Sequence, residues 1–324
     1  LEIYFLGTGA GMPSKERNVT SVILNLLAER NTYWMFDCGE GTQHQVLKSP
    51  VRIGKLEKLF ITHLHGDHLY GIPGLLTSRS YQGGDTPFTV YGPKGTNQFI
   101  RTALELSQAH LSYELLIHEM ESVEETVLFE DEQFTVSAAP LVHRVESYGY
   151  RIVEKPQKGR LHAEKLKTLG ISSGPIFGRL KQGIDVTLES GTLLKAADFI
   201  GPSYPGRVVV ILGDTQPCEY SVKLARGADV LVHEATFAEL KKHLAVEYDH
   251  STAMDAARAA REAGAKALIL THISSRYQKD EAELLVREAR QIHEHTYLAR
   301  DFWSYEVPRN KVDTGGGGNP DVQQ

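Results

Sequence analysis

Thr62-His63-Leu64-His65-Gly66-Asp67-His68 sets four ligand-type side chains within six positions, directly after the apolar run Leu59 to Thr62. A Gly-Pro-Gly-containing helix start, Gly71 to Gly74, ends the stretch. In an extended loop residues two apart point the same way, so His63 and His65 can converge on one cation. The turn at Gly66 then redirects Asp67 and His68 toward a second. Imidazole and carboxylate without thiolate describe a catalytic site rather than a structural one, because closed structural sites generally use cysteines and leave no open position. A lone histidine is ordinarily a core or surface residue; four such groups at this spacing after a strand are not.

Two cations need more ligands than this loop offers. His143, Asp214 and His272 share one context, each following a strand-like run: Phe134 to Pro140, Val208 to Leu212, and Ala267 to Thr271. Singly, each could cap a helix or close a turn; together they complete a binuclear site.

The surrounding pattern is mixed α/β. Strands are expected at Ile3 to Leu6, Val22 to Leu27, Tyr33 to Phe36, Leu59 to Thr62, Phe88 to Tyr91, Thr126 to Phe129, Phe134 to Ala138 and Ser147 to Val153, with helices at Gly41 to Leu47 and Thr96 to Ser107. Glycines, prolines and basic residues interrupt the rhythm over 155–205, which reads as an insertion or arm. Strands Val208 to Leu212, Val230 to Val232 and Ala267 to Leu270 then alternate with helices Glu219 to Arg226, Ser251 to Ala263 and Asp280 to His293. Ser251 or Asp249 is expected to cap the helix that Gly264 stops. The run Gly315 to Gly318 marks 311–324 as a disordered tail.

With 324 residues, 41% hydrophobic and 23% charged, the chain can bury a substantial core without staples. No apolar run approaches the ~20 residues of a membrane helix. Leu1 to Leu6 is a strand pattern rather than a secretory signal, so a cytoplasmic protein is expected. Only Cys38 and Cys218 are present, which fits idle thiols better than a disulfide framework. A net charge of −6 argues against indiscriminate nucleic-acid binding, so any RNA surface must be local.

A strand followed by His-x-His-x-Asp-His, with later histidine, aspartate and histidine at loop tips, resembles the metallo-β-lactamase superfamily. That resemblance implies a four-layer αβ/βα sandwich with an inserted flexible arm. It assigns one metal to His63, His65 and His143, the other to Asp67, His68 and His272, and makes Asp214 the bridge. The implied cofactors are two zinc ions per subunit, with manganese or iron as substitutes. The superfamily also hosts thioesterases and oxygen reductases, so the loop alone does not name a substrate.

Further motifs resemble the ribonuclease Z family. Pro13-Ser-Lys15-Glu-Arg17-Asn18 is similar to a loop that handles the CCA region of tRNA, with Lys15 and Arg17 suited to phosphates and Asn18 to a base edge. A dinucleotide fingerprint is the competing reading of Gly7 to Pro13, but Met12 stands where the third glycine belongs and Pro13 breaks the helix that should follow. His233-Glu234-Ala235-Thr236 and His250-Ser251-Thr252 resemble family motifs in which Glu234 orients His250 as proton donor and Thr252 meets substrate. The basic segment 155–190, carrying Lys158, Arg160, Lys165, Lys167, Gly174-Pro175 and Arg179, resembles a tRNA-gripping arm inserted in a nuclease domain spanning 1–310. The resemblance implies a zinc-dependent endoribonuclease that removes the 3′ trailer of precursor tRNA. It leaves a 3′-hydroxyl on the tRNA and a 5′-phosphate on the trailer, with Asp67 also accepting the proton of the attacking water. A homodimer with no membrane contact is implied as well. The rival is a small-molecule (thio)ester hydrolase of the same fold, which has no need of a basic arm.

Overall fold

The computed structural model describes residues 1–309 apart from 122, 158 and 160. Alternating side chains decide how its strands stack. In Glu2–Gly7, Ile3 and Phe5 face one way and Tyr4 and Leu6 the other; in Thr32–Phe36, Trp34 and Phe36 oppose Tyr33 and Met35; in Val208–Leu212, Val209 and Ile211 oppose Val210 and Leu212. Strands apolar on both faces must be covered on both.

The described residues form two seven-stranded sheets. The first runs in the order Ser304–Glu306, Glu2–Gly7, Ser21–Leu26, Thr32–Phe36, Leu56–Phe60, Phe88–Pro93, Leu115–Met120. The second runs Thr296–Leu298, Leu268–Thr271, Val230–Glu234, Val208–Leu212, Ser147–Glu154, Phe134–Leu141, Thr126–Glu130. Their inner faces share one core rich in aromatic rings, with Phe60 stacked between Phe36 and Tyr91. Truncating so deep a ring to alanine costs about 3–5 kcal/mol. Helices Thr42–Leu47, Ile72–Tyr81 and Thr96–Leu106 cover the outer face of the first sheet; Glu219–Ala225, Ala253–Ala263 and Ala282–Arg290 cover that of the second. The expected αβ/βα sandwich is the observed fold. Strands Leu115–Met120, Thr296–Leu298 and Ser304–Glu306 lack a clean alternating signal and add to those expected.

Parallel pairing aims the functional loops. Thr32–Phe36, Leu56–Phe60 and Phe88–Pro93 are parallel in one sheet, and Val208–Leu212, Val230–Glu234 and Leu268–Thr271 in the other. The loops that leave their carboxyl ends carry His63, His65, Asp67, His68, Asp214 and His272, as open α/β sheets generally arrange, whereas His143 follows the antiparallel strand Phe134–Leu141. Tyr148 N donates to Thr62 O (2.9 Å) and Tyr150 Oη to Ile61 O (2.5 Å), which fixes the first metal loop against the opposite sheet.

The helix Ala253–Ala263 is capped by Thr252, not by Ser251 or Asp249. Thr252 Oγ1 accepts from Asp255 N at 3.1 Å, the reciprocal half of a capping box, while the Ser251 hydroxyl donates to Thr215 O at 2.6 Å and Asp249 turns the chain at φ 60°.

Glu154–Arg207 forms a second unit, together with Pro308 and Arg309. It is longer than the arm expected over 155–190 and holds its own small core of Leu166, Ile171, Leu180, Val186, Leu194 and Phe199. Within it, helices Ala163–Thr168 and Pro175–Lys181 precede a short hairpin, Val186–Thr187 with Leu193–Leu194. At its chain ends Arg207 and Glu154 form a buried two-pronged pair, Nε to Oε2 at 2.7 Å and Nη2 to Oε1 at 2.8 Å. The expected tail 311–324 lies outside the described residues. Among the described residues no helix is long and apolar enough to cross a membrane. Cys38 and Cys218 are both free thiols, and burial pushes that of Cys38 far up.

Candidate metal centre

All the ligand-type residues expected from sequence meet at one edge of the sandwich. The ligand atoms of His63, His65, His143 and Asp214 lie within 4.8 Å of one another, and so do those of Asp67, His68 and His272. His63 Nε2 is 3.0 Å from His65 Nδ1, which is 3.3 Å from His143 Nε2, and Asp214 Oδ2 is 3.6 Å from His63 Nε2. In the second group His68 Nε2 and His272 Nε2 are 3.3 Å apart, with Asp67 Oδ2 3.4 and 3.3 Å from them. Asp214 Oδ2 also approaches His68 Nε2 (3.5 Å) and His272 Nε2 (3.3 Å), so one oxygen belongs to both groups.

These separations test the fit of zinc. A tetrahedron with bonds of about 2.0–2.1 Å has edges of about 3.3–3.4 Å. The measured values scatter around that edge in both groups, so the donors are spaced for two adjoining tetrahedral cations that share Asp214.

Four of the five imidazoles are held in the matching tautomer, while His65 turns its Nδ1 into the cage. The Nδ1–H of His63 donates to Thr62 Oγ1 (3.0 Å), of His68 to Asp37 Oδ2 (2.7 Å), of His143 to Asp249 O (2.7 Å) and of His272 to Thr236 Oγ1 (2.9 Å). Their Nε2 lone pairs are thereby aimed at the cage. Electrostatics agree. Burial opposes charge on His68, yet Asp214, Asp37 and Asp67 outweigh it and hold its pKa well above the ordinary histidine range. Burial and the neighbouring His68 push His63 the other way. Burial also opposes ionisation of Asp67, but His68 and His272 keep its carboxyl far below the usual range. A pocket whose carboxylates draw positive charge onto His68 while His63 resists protonation suits metal cations.

His250 stands beside the cage rather than in it. Ligand-type atoms of Asp214, His250 and His272 also lie within 4.8 Å, but His250 Nδ1, 3.9 Å from Asp214 Oδ2, is engaged with Glu234 Oε1 at 2.8 Å. Glu234 is fully enclosed: Oε1 also accepts from Thr215 N and Ser251 N (3.1 Å each), and Oε2 from Thr236 N (3.1 Å) and Thr236 Oγ1 (2.6 Å). Burial lowers the His250 pKa and the Glu234 carboxylate more than reverses it, to about 9. A cavity of about 310 Å³ opens over His65, Asp67, His143, Asp214, His250 and His272.

Residues 1–156 match the profile of a family described as anti-Pycsar protein Apyc1. Over 309 residues, 95% of this chain and 100% of the relative, the sequence is 55% identical to a ribonuclease Z from Geobacillus kaustophilus. This chain belongs to the ribonuclease Z family. The crystal structure of human tRNase Z, short form, aligns with a TM-score of 0.70 at 33% identity, covering 95% of this chain and 100% of that one. A metallo-β-lactamase fold protein from Bacillus subtilis aligns at TM-score 0.65 and 17% identity over 94% and 98% of the two chains, a likeness of fold.

In this ribonuclease Z the residues expected to meet RNA fall into different settings. Lys15 is exposed and Asn18 half-buried, its amide donating to Glu40 O at 2.8 Å. Arg17 is not at the surface: it is 8% exposed, and its Nη1 donates to Thr8 Oγ1 (2.6 Å) and Ala299 O (2.7 Å), so it braces the glycine loop. Thr252 is wholly buried and committed to its helix cap. In the second unit Lys165, Lys167, Gly174, Pro175 and Arg179 are exposed, whereas Lys158 and Arg160 lie outside the described residues. Lys165 Nζ donates to Asp198 O (3.0 Å) and Lys167 pairs with Glu164 (2.8 Å).

Sequence reasoning missed Asp37, Thr62, Thr236 and Asp249, which fix the ligand tautomers. Asp37, Asp249 and His272 adopt positive φ of 57°, 60° and 54°, a backbone cost that non-glycine residues carry mainly where the surroundings impose it. An aspartate directly after the apolar run Tyr33 to Phe36 was the one available signal.

Proposed function

We propose that this ribonuclease Z removes the 3′ trailer from precursor tRNA, hydrolysing the phosphodiester after the discriminator nucleotide to leave a 3′-hydroxyl on the tRNA and a 5′-phosphate on the trailer. The observation that carries the reading is the pair of ligand cages sharing Asp214, with the His250–Glu234 pair at their rim. Full-length identity of 55% to a ribonuclease Z supports it.

Two zinc ions held by His63, His65, His143, Asp214 and by Asp67, His68, His272, Asp214 would supply Lewis acidity, lowering the pKa of an attacking water and neutralising charge that builds on the phosphoryl oxygens. Manganese or iron could fill the same donor set. Asp67 accepts the proton of the attacking water. Asp214 sets the spacing of the two cages. His250 delivers a proton to the departing 3′-oxygen, and Glu234 both aims its ring and keeps it protonated near neutral pH. Lys15 and Asn18 engage the 3′ end of the tRNA, and the basic surface of the second unit, with Lys165, Lys167 and Arg179, grips the tRNA body. A cytoplasmic homodimer is part of the same reading, with one subunit's arm holding tRNA for its partner.

The test is cleavage of a precursor tRNA by wild type and Asp67→Ala, with end-mapping of products and metal content by mass spectrometry. A single cut beside the discriminator, lost in the variant, is expected. Bound zinc with intact RNA would sink the reading and turn attention to small esters. Deleting residues 156–180 separates the two: it abolishes tRNA cutting here, whereas a small-ester hydrolase would be indifferent.

A further inference from the structure

One wall of the cavity is lined by Phe237, Tyr248 and Arg144, which neither coordinate nor orient a ligand through their side chains. Phe237 is 5% exposed; its ring lies 6.2 Å from that of His250 and 6.5 Å from that of Tyr248, nearly parallel to the latter at 21°. Tyr248 keeps 42% of its surface open, although it borders a polar catalytic cavity. It follows directly on the helix Lys242–Glu247, two residues before His250. The Arg144 guanidinium sits 5.9 Å from the Tyr248 ring centre, anchored by Nη2 to Glu247 O at 2.7 Å and Nε to Asp249 Oδ2 at 3.4 Å.

We propose that Tyr248, backed by Phe237 and flanked by Arg144, is the platform on which the base of the nucleotide that keeps the 3′-hydroxyl stacks, and that this stack positions the scissile phosphate. The inference rests on the assignment of His250 as proton donor. The 3′-oxygen that His250 faces is carried by the nucleotide on the 5′ side of the cut, so that nucleotide lies along the wall His250 shares with Phe237 and Tyr248. An exposed ring already held parallel to a buried one offers a face to a base with little ordering cost, and an aromatic face accepts any base. Arg144, over the same ring at 5.9 Å, adds a cation and N–H donors for the same nucleotide's phosphate. Tyr248 is thus a positioning residue that makes the site of cutting depend on the presence of a base there rather than on its identity.

The experiment uses precursor tRNA with 2-aminopurine, or with an abasic sugar, at the position just 5′ of the cut. Wild type and Tyr248→Phe should quench 2-aminopurine on binding, and Tyr248→Ala should not. Tyr248→Ala should lose on the order of tenfold to a hundredfold in kcat/KM on intact RNA, the range a base–aromatic stack supplies. Wild type should lose a similar factor on the abasic substrate, and the variant should lose nothing further on it. Losses that multiply, or quenching by Tyr248 of 2-aminopurine placed on the first trailer nucleotide, would overturn the proposal. Equal metal content in all variants excludes a collapsed site. Failure of wild type to cut unmodified precursor would overturn the substrate reading and this inference together; normal cutting with multiplying losses overturns this inference alone.

Discussion

Exchanging Asp37 for asparagine removes one charge and reverses one hydrogen-bonding direction, with consequences for both cages. Asp37 Oδ1 accepts from Thr62 N (2.7 Å), and Oδ2 from Thr62 Oγ1 (2.8 Å) and His68 Nδ1 (2.7 Å). Thr62 Oγ1 in turn accepts from His63 Nδ1 at 3.0 Å, so a single carboxylate ends a relay that fixes the tautomer of one ligand in each cage. Asparagine tolerates the φ of 57° as well as aspartate does, so the backbone is spared. If its oxygen stays on Thr62 N, its NH₂ group faces two donors. His68 can relieve the clash only by moving its proton to Nε2, which removes the lone pair that should bind metal. Losing such a supporting partner costs about 10- to 100-fold in metal affinity, or about 1.4–2.8 kcal/mol. Competition against a chromophoric zinc chelator, with total metal by mass spectrometry and thermal unfolding of the metal-free protein as the fold control, measures it. Unchanged affinity at both sites in a folded variant would refute the tautomer argument; a loss confined to one site would refute the link through Thr62.

Three further outcomes are expected. Glu234→Gln should lower turnover about 10²- to 10⁴-fold with metal content unchanged. Since burial lowers and Glu234 more strongly raises the His250 pKa to about 9, the proton-donating form persists below that pH and is lost above it; the variant's alkaline limb of kcat/KM should move to lower pH, and an unmoved limb would assign it to another group. Gly71→Ala would place a Cβ 2.2 Å from Gly39 O and 3.0 Å from Cys38 Sγ, both in the rigid base of the metal loop, so metal content and Tm should fall together. Glu154→Ala removes both carboxylate prongs from the buried Arg207 guanidinium, a loss of about 3–5 kcal/mol, visible as faster amide exchange across residues 161–200 and absent if the pair is solvated in solution.

The candidate ligands were legible because chemistry and strand rhythm coincide: His63, His65, Asp67 and His68 declare themselves by density, and His143, Asp214 and His272 by standing after apolar runs. Single polar residues that act through another side chain left no such trace. Thr236 and Thr62 read as ordinary turn or strand residues, and only the folded chain shows their hydroxyls under His272 and His63. Arg17 misled for the opposite reason. A basic residue in a glycine-rich loop reads as a phosphate contact, yet tertiary packing turns its guanidinium inward onto Ala299 O and Thr8 Oγ1. The break in rhythm over 155–205 marked the inserted unit, whereas the narrower arm over 155–190 left out Leu194 and Phe199, core residues that carry no periodic pattern.

Strands Ser147–Glu154 and Val208–Leu212 are antiparallel neighbours with Val153 opposite Val208, so the chain leaves the second sheet and re-enters it at adjoining points. Everything between hangs from a hairpin whose ends are already fixed, and closing a longer loop costs only about 0.6 kcal/mol per doubling. In evolutionary terms the stretch is an interchangeable cassette. A lineage can lengthen, shorten or replace it without shifting the register of the strands that aim Asp214 and His143. The histidine-bearing loops have no such licence, since they are pinned to their neighbours by the bonds at Nδ1 of His63, His68, His143 and His272. On the proposed reading, what the enzyme grips and how it cuts are therefore heritable on separate parts of one chain, and can diverge at different rates.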